Sequence, residues 1–322
     1  MILIQFQISF NIVNYPSKTS IINSIKYPQL IKDQFLGRGK ITLNPTGKPN
    51  CWAGGFSMVF QINVDGELWA FKVWHTELKD NKVRYKTVAE TLKKCKLPYF
   101  ADFYYVENGM MVDGTFLDTN RMRWLEGMPL KDYINLNIDN PKKLLDLASK
   151  FQLMVSDFHK NNIAHGDLQH GNIIVQEDGG LMVIDYDSMY VDNLINSPDL
   201  IKGLGGYQHP ARYYNQTINN KIDYFSELII YVSIVVYAEY PELWNPNTDW
   251  LLFSKEELEN PETCLLFNKL KNSSNAKISL LINTLHEFLR CEDISQLTPL
   301  EDILNSKLSV AYPPINNITD KF

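Results

Sequence analysis

The sequence predicts an α+β protein, with strands gathered in roughly the first 125 residues and helices behind them. Three observations carry that expectation. Segments 56–64 and 68–74 are rich in Val, Ile, Phe and Trp, and Asp65-Gly66 between them is a hairpin-turn dipeptide. Past Gly127 the apolar period changes, and Leu144, Leu147, Phe151, Met154 and Phe158 mark one helix face. The apolar run 228–238 has 11 residues, with Glu227 at its edge. A membrane span needs about 20, so the run reads as a buried core helix.

The remaining elements follow in chain order. Ile4, Phe6, Ile8, Phe10 and Ile12 alternate with Gln5, Gln7, Ser9 and Asn11, a strand-like extension without the basic start or cleavage site of a signal peptide. Residues 17–35 read as a short helical lead-in, and 37–55 as a Gly/Pro/Asn-rich loop. Residues 80–96 read as a helix, with Val83, Thr87, Glu90 and Lys94 at helical spacing. Strands are expected at 103–106, 110–112 and 120–125, punctuated by Asn108-Gly109 and Asp113-Gly114. A short helix at 129–136 precedes the long one. Two short strands, 173–175 and 181–184, flank Asp178-Gly179-Gly180. There is no internal repeat. A strand-rich front and a helix-rich back fit two lobes with a cleft between them.

Composition narrows the function classes. Aromatic residues make up 12% of the 322, which excludes disorder as the main character. The net charge of −6 weighs against a general nucleic-acid binder, and no membrane partner is expected. Cys51, Cys95, Cys264 and Cys291 form no CxxC pair, so a zinc ribbon is excluded and reduced thiols of a cytoplasmic protein are expected.

Four separated segments carry chemistry. Gly54 and Gly55 lie at a strand-to-strand turn, where a ligand's phosphates could approach the backbone closely. Lys72 stands among apolar residues of the following strand, so its charge needs a partner, for which Glu90 on the next helix is suited. In Ala-His165-Gly166-Asp167-Leu-Gln169-His170-Gly171-Asn172, a carboxylate precedes an amide by five residues. The carboxylate can orient a hydroxyl, and the amide oxygen can bind a hard cation. A zinc site from His165, Asp167 and His170 is the rival, but it lacks an evident fourth ligand. In Met182-Val-Ile-Asp185-Tyr186-Asp187 a strand delivers a carboxylate at its end, suited to Mg²⁺.

Together these segments resemble the protein-kinase superfamily: glycine turn, strand lysine, helix glutamate, H-x-D-x4-N loop and metal-binding Asp. The resemblance covers about residues 45–308, most of the chain. It implies a bilobal fold with an N-lobe at 45–126 and a C-lobe at 127–308, an extension at 1–44 and a tail at 309–322. It also implies ATP and two Mg²⁺ ions. On it, Lys72 holds the α- and β-phosphates with Glu90 its partner. Asp167 is the catalytic base, Asn172 and Asp185 are the metal ligands, and Val59, Ala70 and Ile174 sandwich adenine. Met122 is the gatekeeper, and Arg123, Trp124 and Leu125 form the hinge. Asp223-Tyr-Phe-Ser226 and Tyr207-Gln-His-Pro210 resemble the central-helix start and activation-segment end of protein kinases, which points to Ser/Thr transfer onto an unidentified protein substrate.

The departures are specific. Ser57 stands for the third loop glycine, Gly166 for the arginine before the catalytic Asp, and Gln169 for a lysine that His170 could replace. Asp-Tyr-Asp stands for D-F-G, with Tyr186 expected to pack toward His165. Ala211 and Leu297 stand for an ion pair. These departures motivate two alternatives: a nucleotide-binding pseudokinase scaffold, and a small-molecule kinase of the aminoglycoside- or choline-kinase type, which shares His-Gly-Asp.

Overall fold

The computed structural model describes residues 15–76 and 81–307, so the alternating N-terminal segment lies outside the described residues. The chain is mixed α+β, sheet-rich in its N-terminal region and helical in its C-terminal part. It divides into two compact units, one of residues 1–82 with 102–124 and one of residues 83–101 with 125–322.

The first unit is built on an antiparallel sheet. Its strands are β1 (Lys40–Ile41), β2 (Cys51–Ala53), β3 (Ser57–Val64), β4 (Glu67–Trp74), β5 (Phe103–Val112) and β6 (Thr115–Arg123). They run in the order β1-β3-β4-β6-β5, with β2 also on β3. Strands β1 and β2 lie within the stretch that sequence reads as loop. Asp65 and Gly66 close the β3–β4 hairpin at φ 53° and 94°, which favours Gly at the second position. Where two strands are expected around Asn108-Gly109, β5 runs through as one. The register shifts between Val106 and Met110, a bulge that absorbs extra residues without ending the pairing. Asn108 turns left-handed there (φ 52°), and its N–H donates to Asp118 Oδ1 at 2.8 Å.

The lead-in helix α1 (Lys18–Ser24) starts at the Ser17 cap and is shorter than expected. Pro28 then opens a 3-10 turn, since proline lacks the N–H that a longer helix would need. Ile21, Ile25, Ile31 and Leu36 from this stretch share a core with Phe60, Ile62, Phe71, Val73, Met110 and Val112 of the sheet. Arg121 pins the stretch. Its guanidinium bonds both Asp33 oxygens at 2.6 Å and lies between the Phe35 and Tyr104 rings, 4.8 and 4.7 Å from their centres.

The second unit takes in most of helix α2 (Asn81–Cys95) and everything after β6. Sequence spacing picks Val83, Thr87, Glu90 and Lys94, but the buried face of α2 is Tyr85, Val88 and Leu92, and Val83 is exposed. The short strands β7 (Met128–Pro129), β8 (Ile173–Val175) and β9 (Leu181–Val183) form a second sheet. Helix α3 (Leu130–Leu136) leads to α4 (Pro141–Lys160), in which Leu144, Leu147, Phe151, Met154 and Phe158 are all buried, as their spacing predicts. Helix α5 (Tyr224–Glu239) is buried at every residue from Tyr224 to Tyr237, which explains its lack of a polar face. It packs on α4 and on α8 (Ala276–Leu289), with α6 (Lys255–Glu259), α7 (Leu265–Lys271) and α9 (Leu300–Asp302) around them. Among the described residues no helix is long and apolar enough to cross a membrane.

One buried charge cluster crosses the second unit. His159 of α4 bonds Glu227 of α5 through Nε2 (2.8 Å) and Glu301 of α9 through Nδ1 (2.8 Å). Both ring nitrogens face carboxylates, so both donate and the ring is an imidazolium. Burial opposes that charge, but the two carboxylates outweigh it and lift His159 to about 10. Glu227 rises to about 7 through burial, against the pull of His159.

Candidate active site

In the first unit the register gathers the expected residues on one sheet face. Lys72 of β4 stands opposite Val59 of β3 and Asn120 of β6. Ala70, two residues back and so on the same face, stands opposite Met122. Lys72, Ala70 and Asn120 are buried. The backbone N–H of Arg123 donates to Asp102 O at 3.3 Å and that of Trp124 to Leu68 O at 2.9 Å, so the amides of these two residues are used inside this unit. Gly54 and Gly55 form an exposed turn closed by Gly54 N to Ser57 O at 2.9 Å. The Gly54 carbonyl faces Lys18 Nζ at 3.0 Å and His75 Nε2 at 3.4 Å. A Cβ at Gly54 meets only ordinary contact, and one at Gly55 meets nothing within 4 Å. Glu90 is an exposed residue of α2, in the second unit.

In the second unit Asp167, Asn172 and Asp185 come from one short sheet and the loops at its ends. Asp223 sits at the N-cap of α5 but does not cap it. Its carboxylate instead accepts the backbone N–H groups of His165 and Gly166, the latter at 2.9 Å. His165 is buried, accepts Asp167 N at Nδ1 (3.3 Å) and donates from Nε2 to Ile184 O (2.8 Å). The loop that carries Asp167 is thereby tied to the core helix behind it and to the end of β9.

Both oxygens of Asp167 are held. Oδ1 accepts the backbone N–H of Leu204 at 2.7 Å, and Oδ2 accepts Asn172 Nδ2 at 3.2 Å. Asn172 Nδ2 also donates to Asp167 O at 2.8 Å, which presents Oδ1 as the remaining acceptor of that amide. Burial raises the Asp167 carboxyl above its usual range, opposed by the Leu204 N–H, while the Asp185 charge adds to the rise. Asp185 follows β9 in the left-handed region (φ 67°, ψ 76°) and is exposed. Ile174 is half-buried at the centre of β8, opposite Met182. Leu125 is half-buried and opens the long second stretch of this unit.

The loop departures acquire partners. Gln169 Oε1 turns back to Gly171 N at 2.6 Å. His170 Nδ1 accepts the Tyr207 hydroxyl at 2.6 Å, and that hydroxyl accepts Leu251 N at 3.2 Å. Burial, together with the charge of Lys131, brings His170 down to about 4, so it is neutral near pH 7 and supplies no cation there. Tyr186 packs its ring edge-on to Phe100 and bonds Val183 O at 3.0 Å and Ala101 N at 3.1 Å. Gly166 has φ 77°, and a Cβ there would lie 2.1 Å from Ser188 O, so no larger residue fits.

Sequence reasoning missed Arg212, which is 1% exposed. Its Nε and one terminal nitrogen each bond an Asp199 oxygen at 3.0 Å. The other terminal nitrogen reaches Gly166 O, next to Asp167, and Gln208 Oε1. Arg212, directly after Ala211, thus forms a buried ion pair with Asp199. Its only sequence signal is an arginine directly after Ala211. Among the described residues no three His, Cys, Asp or Glu side chains are grouped to hold a metal.

No family model matches the chain. Over 67 residues it is 36% identical to an EKC/KEOPS complex subunit of Schizosaccharomyces pombe, covering 19% of this chain and 28% of that protein. Over 66 residues it is 33% identical to the serine/threonine-protein kinase PrkC of Bacillus subtilis, covering 20% of this chain and 10% of that one. The chain thus matches about a quarter and a tenth of these relatives' lengths. The likenesses reach as far as kinase-related proteins in general.

Proposed function

We propose that the chain is a kinase-like phosphotransferase that uses ATP and Mg²⁺ and phosphorylates Ser/Thr hydroxyls of a protein. The observation that carries this reading is the holding of Asp167. A loop hung from Asp223 presents its carboxylate, with one oxygen set by Leu204 N–H and the other by Asn172. A carboxylate held this way can orient an acceptor hydroxyl and take its proton.

The donor set fits the implied metal. Asn172 Oδ1 and the Asp185 carboxylate are hard oxygen donors, and Mg²⁺ is commonly held by one or two protein ligands plus phosphate and water. Mg²⁺ and ATP would supply charge neutralisation and the transferable phosphoryl group. Lys72 supplies a buried positive charge for the phosphates, and Val59, Ala70 and Met122 supply an apolar face. Glu90, Arg123, Leu125 and Ile174 keep the parts that the resemblance gives them. An added Cβ at Gly54 or Gly55 would meet no obstacle, so the turn leaves open space in which a phosphate could approach the backbone.

Calorimetric titration with ATP tests the reading. Binding is expected to strengthen with Mg²⁺ in the wild type, to lose that dependence in Asp185→Asn, and to weaken in Lys72→Met. ATP binding that is indifferent to Mg²⁺ and to both substitutions overturns it. A second reading, a nucleotide-binding scaffold, draws on the tied-back Gln169 and the neutral His170, which give the γ-phosphate no cation from this loop. It wins if ATP binds tightly and no ADP forms with any protein acceptor.

A further inference from the structure

Asp187 is a carboxylate that the proposed chemistry does not use. It is 8% exposed, and burying such a charge is costly unless it is well bonded. One partner is Tyr85 of α2, 1% exposed, whose hydroxyl donates to Asp187 Oδ1. The preceding residue reaches the same segment. Arg84 Nε donates to Asp187 O at 2.9 Å, and its terminal nitrogen donates to Met189 O at 2.8 Å. Two consecutive α2 residues therefore grip the chain directly after Asp185.

The grip matters because of what it holds. Asp185 is left-handed, a conformation less common for a non-glycine residue than the right-handed or extended ones, so its neighbours matter to where its carboxylate points. On the other side, Ala164 and Tyr190 exchange backbone hydrogen bonds of 3.1 and 2.8 Å. The segment is thus fastened to the catalytic loop at one end and to α2 along its middle. Glycine in place of Asp187 would offer α2 no side-chain acceptor.

We propose that Arg84 and Tyr85 are positioning residues of the metal site: through Asp187 and Met189 they fix the backbone that aims the Asp185 carboxylate. The proposal rests on Asp185 as a metal ligand. Outer partners that orient metal ligands typically contribute tenfold to a hundredfold in metal affinity.

The test uses Mn²⁺ as the probe, with a non-hydrolysable ATP analogue, and measures free Mn²⁺ by electron paramagnetic resonance. Tyr85→Phe keeps the ring and removes one bond; Arg84→Gln removes the bridge to both carbonyls. Each is expected to weaken Mn²⁺ binding about tenfold or more while leaving metal-free binding of the analogue unchanged. Amide exchange of peptides spanning 184–190 is expected to quicken in both. Arg84→Lys, which cannot span two carbonyls, falls between wild type and Arg84→Gln. Mn²⁺ affinities within about twofold of wild type in both Tyr85→Phe and Arg84→Gln overturn the proposal. Failure of the wild type itself to bind Mn²⁺ overturns the metal role of Asp185, and the proposal with it.

Discussion

Gly203 shows how single residues set the candidate site. It is left-handed (φ 76°), and a Cβ there would stand 2.7 Å from Asp167 Oδ1 and 2.8 Å from Gln208 Nε2. Only glycine lets Leu204 N–H reach the carboxylate. Gly203→Ala is therefore expected to lower turnover by about a hundredfold, the scale of an ångström-sized misplacement, with ATP affinity retained. Steady-state kinetics beside ATP titration checks this, and unchanged turnover would remove Leu204 from the account. Sequence shows that 203–206 is glycine-rich. It does not show which glycine faces Asp167, because that depends on a contact 37 residues away along the chain.

At the scale of elements, two buried charge networks bind helices and loops together. The Arg212–Asp199 pair fastens the segment after β9 to Gly166 O, beside Asp167. Arg212→Met leaves Asp199 buried, with Lys202 Nζ as a remaining neighbour at 3.2 Å, and is expected to cost about 3–5 kcal/mol in urea unfolding. Arg212→Met with Asp199→Leu removes both charges and is expected to recover much of that loss. A double variant as unstable as the single one would assign the loss to packing instead.

The His159 cluster predicts a pH dependence at the same scale. Native His159, at about 10, binds its proton more tightly than the usual 6.5, and native Glu227, at about 7, more tightly than 4.5. The native state thus retains protons that the unfolded chain releases. The His159 contribution is complete below 6.5 and is lost as pH rises through 10; that of Glu227 fades from 4.5 to 7. Glu301 is shifted down, so its own contribution is lost only in acid. Thermal unfolding at successive pH values is expected to show Tm falling from neutral pH to about 10, with a shallower fall in His159→Gln. A parallel fall in both proteins would contradict the cluster's role. The helices were legible where burial follows a local period, as in α4, or where the apolar run is unbroken, as in α5. The α2 face was not, because Tyr85 is buried by a partner 102 residues away rather than by spacing within its own helix.

For the whole molecule, the α+β order could be read from the sequence, because strand, turn and loop signals lie within a few residues of one another. The Val59, Ala70, Lys72 and Met122 face follows from strand register, and Asp167 with Asn172 from one loop. What could not be read were the supports: Tyr85 under Asp187, Arg212 under Gly166 and Leu204 on Asp167 all join distant segments. The central claim is transfer of phosphate through Asp167. Intact mass of wild type and Asp167→Ala after incubation with Mg²⁺ and ATP, with and without a mixed protein acceptor, tests it most directly. The account predicts phosphoryl groups added to protein by the wild type alone, with ATP still bound by the variant. Equal transfer by Asp167→Ala, or no transfer by either while ATP binds both, would contradict it.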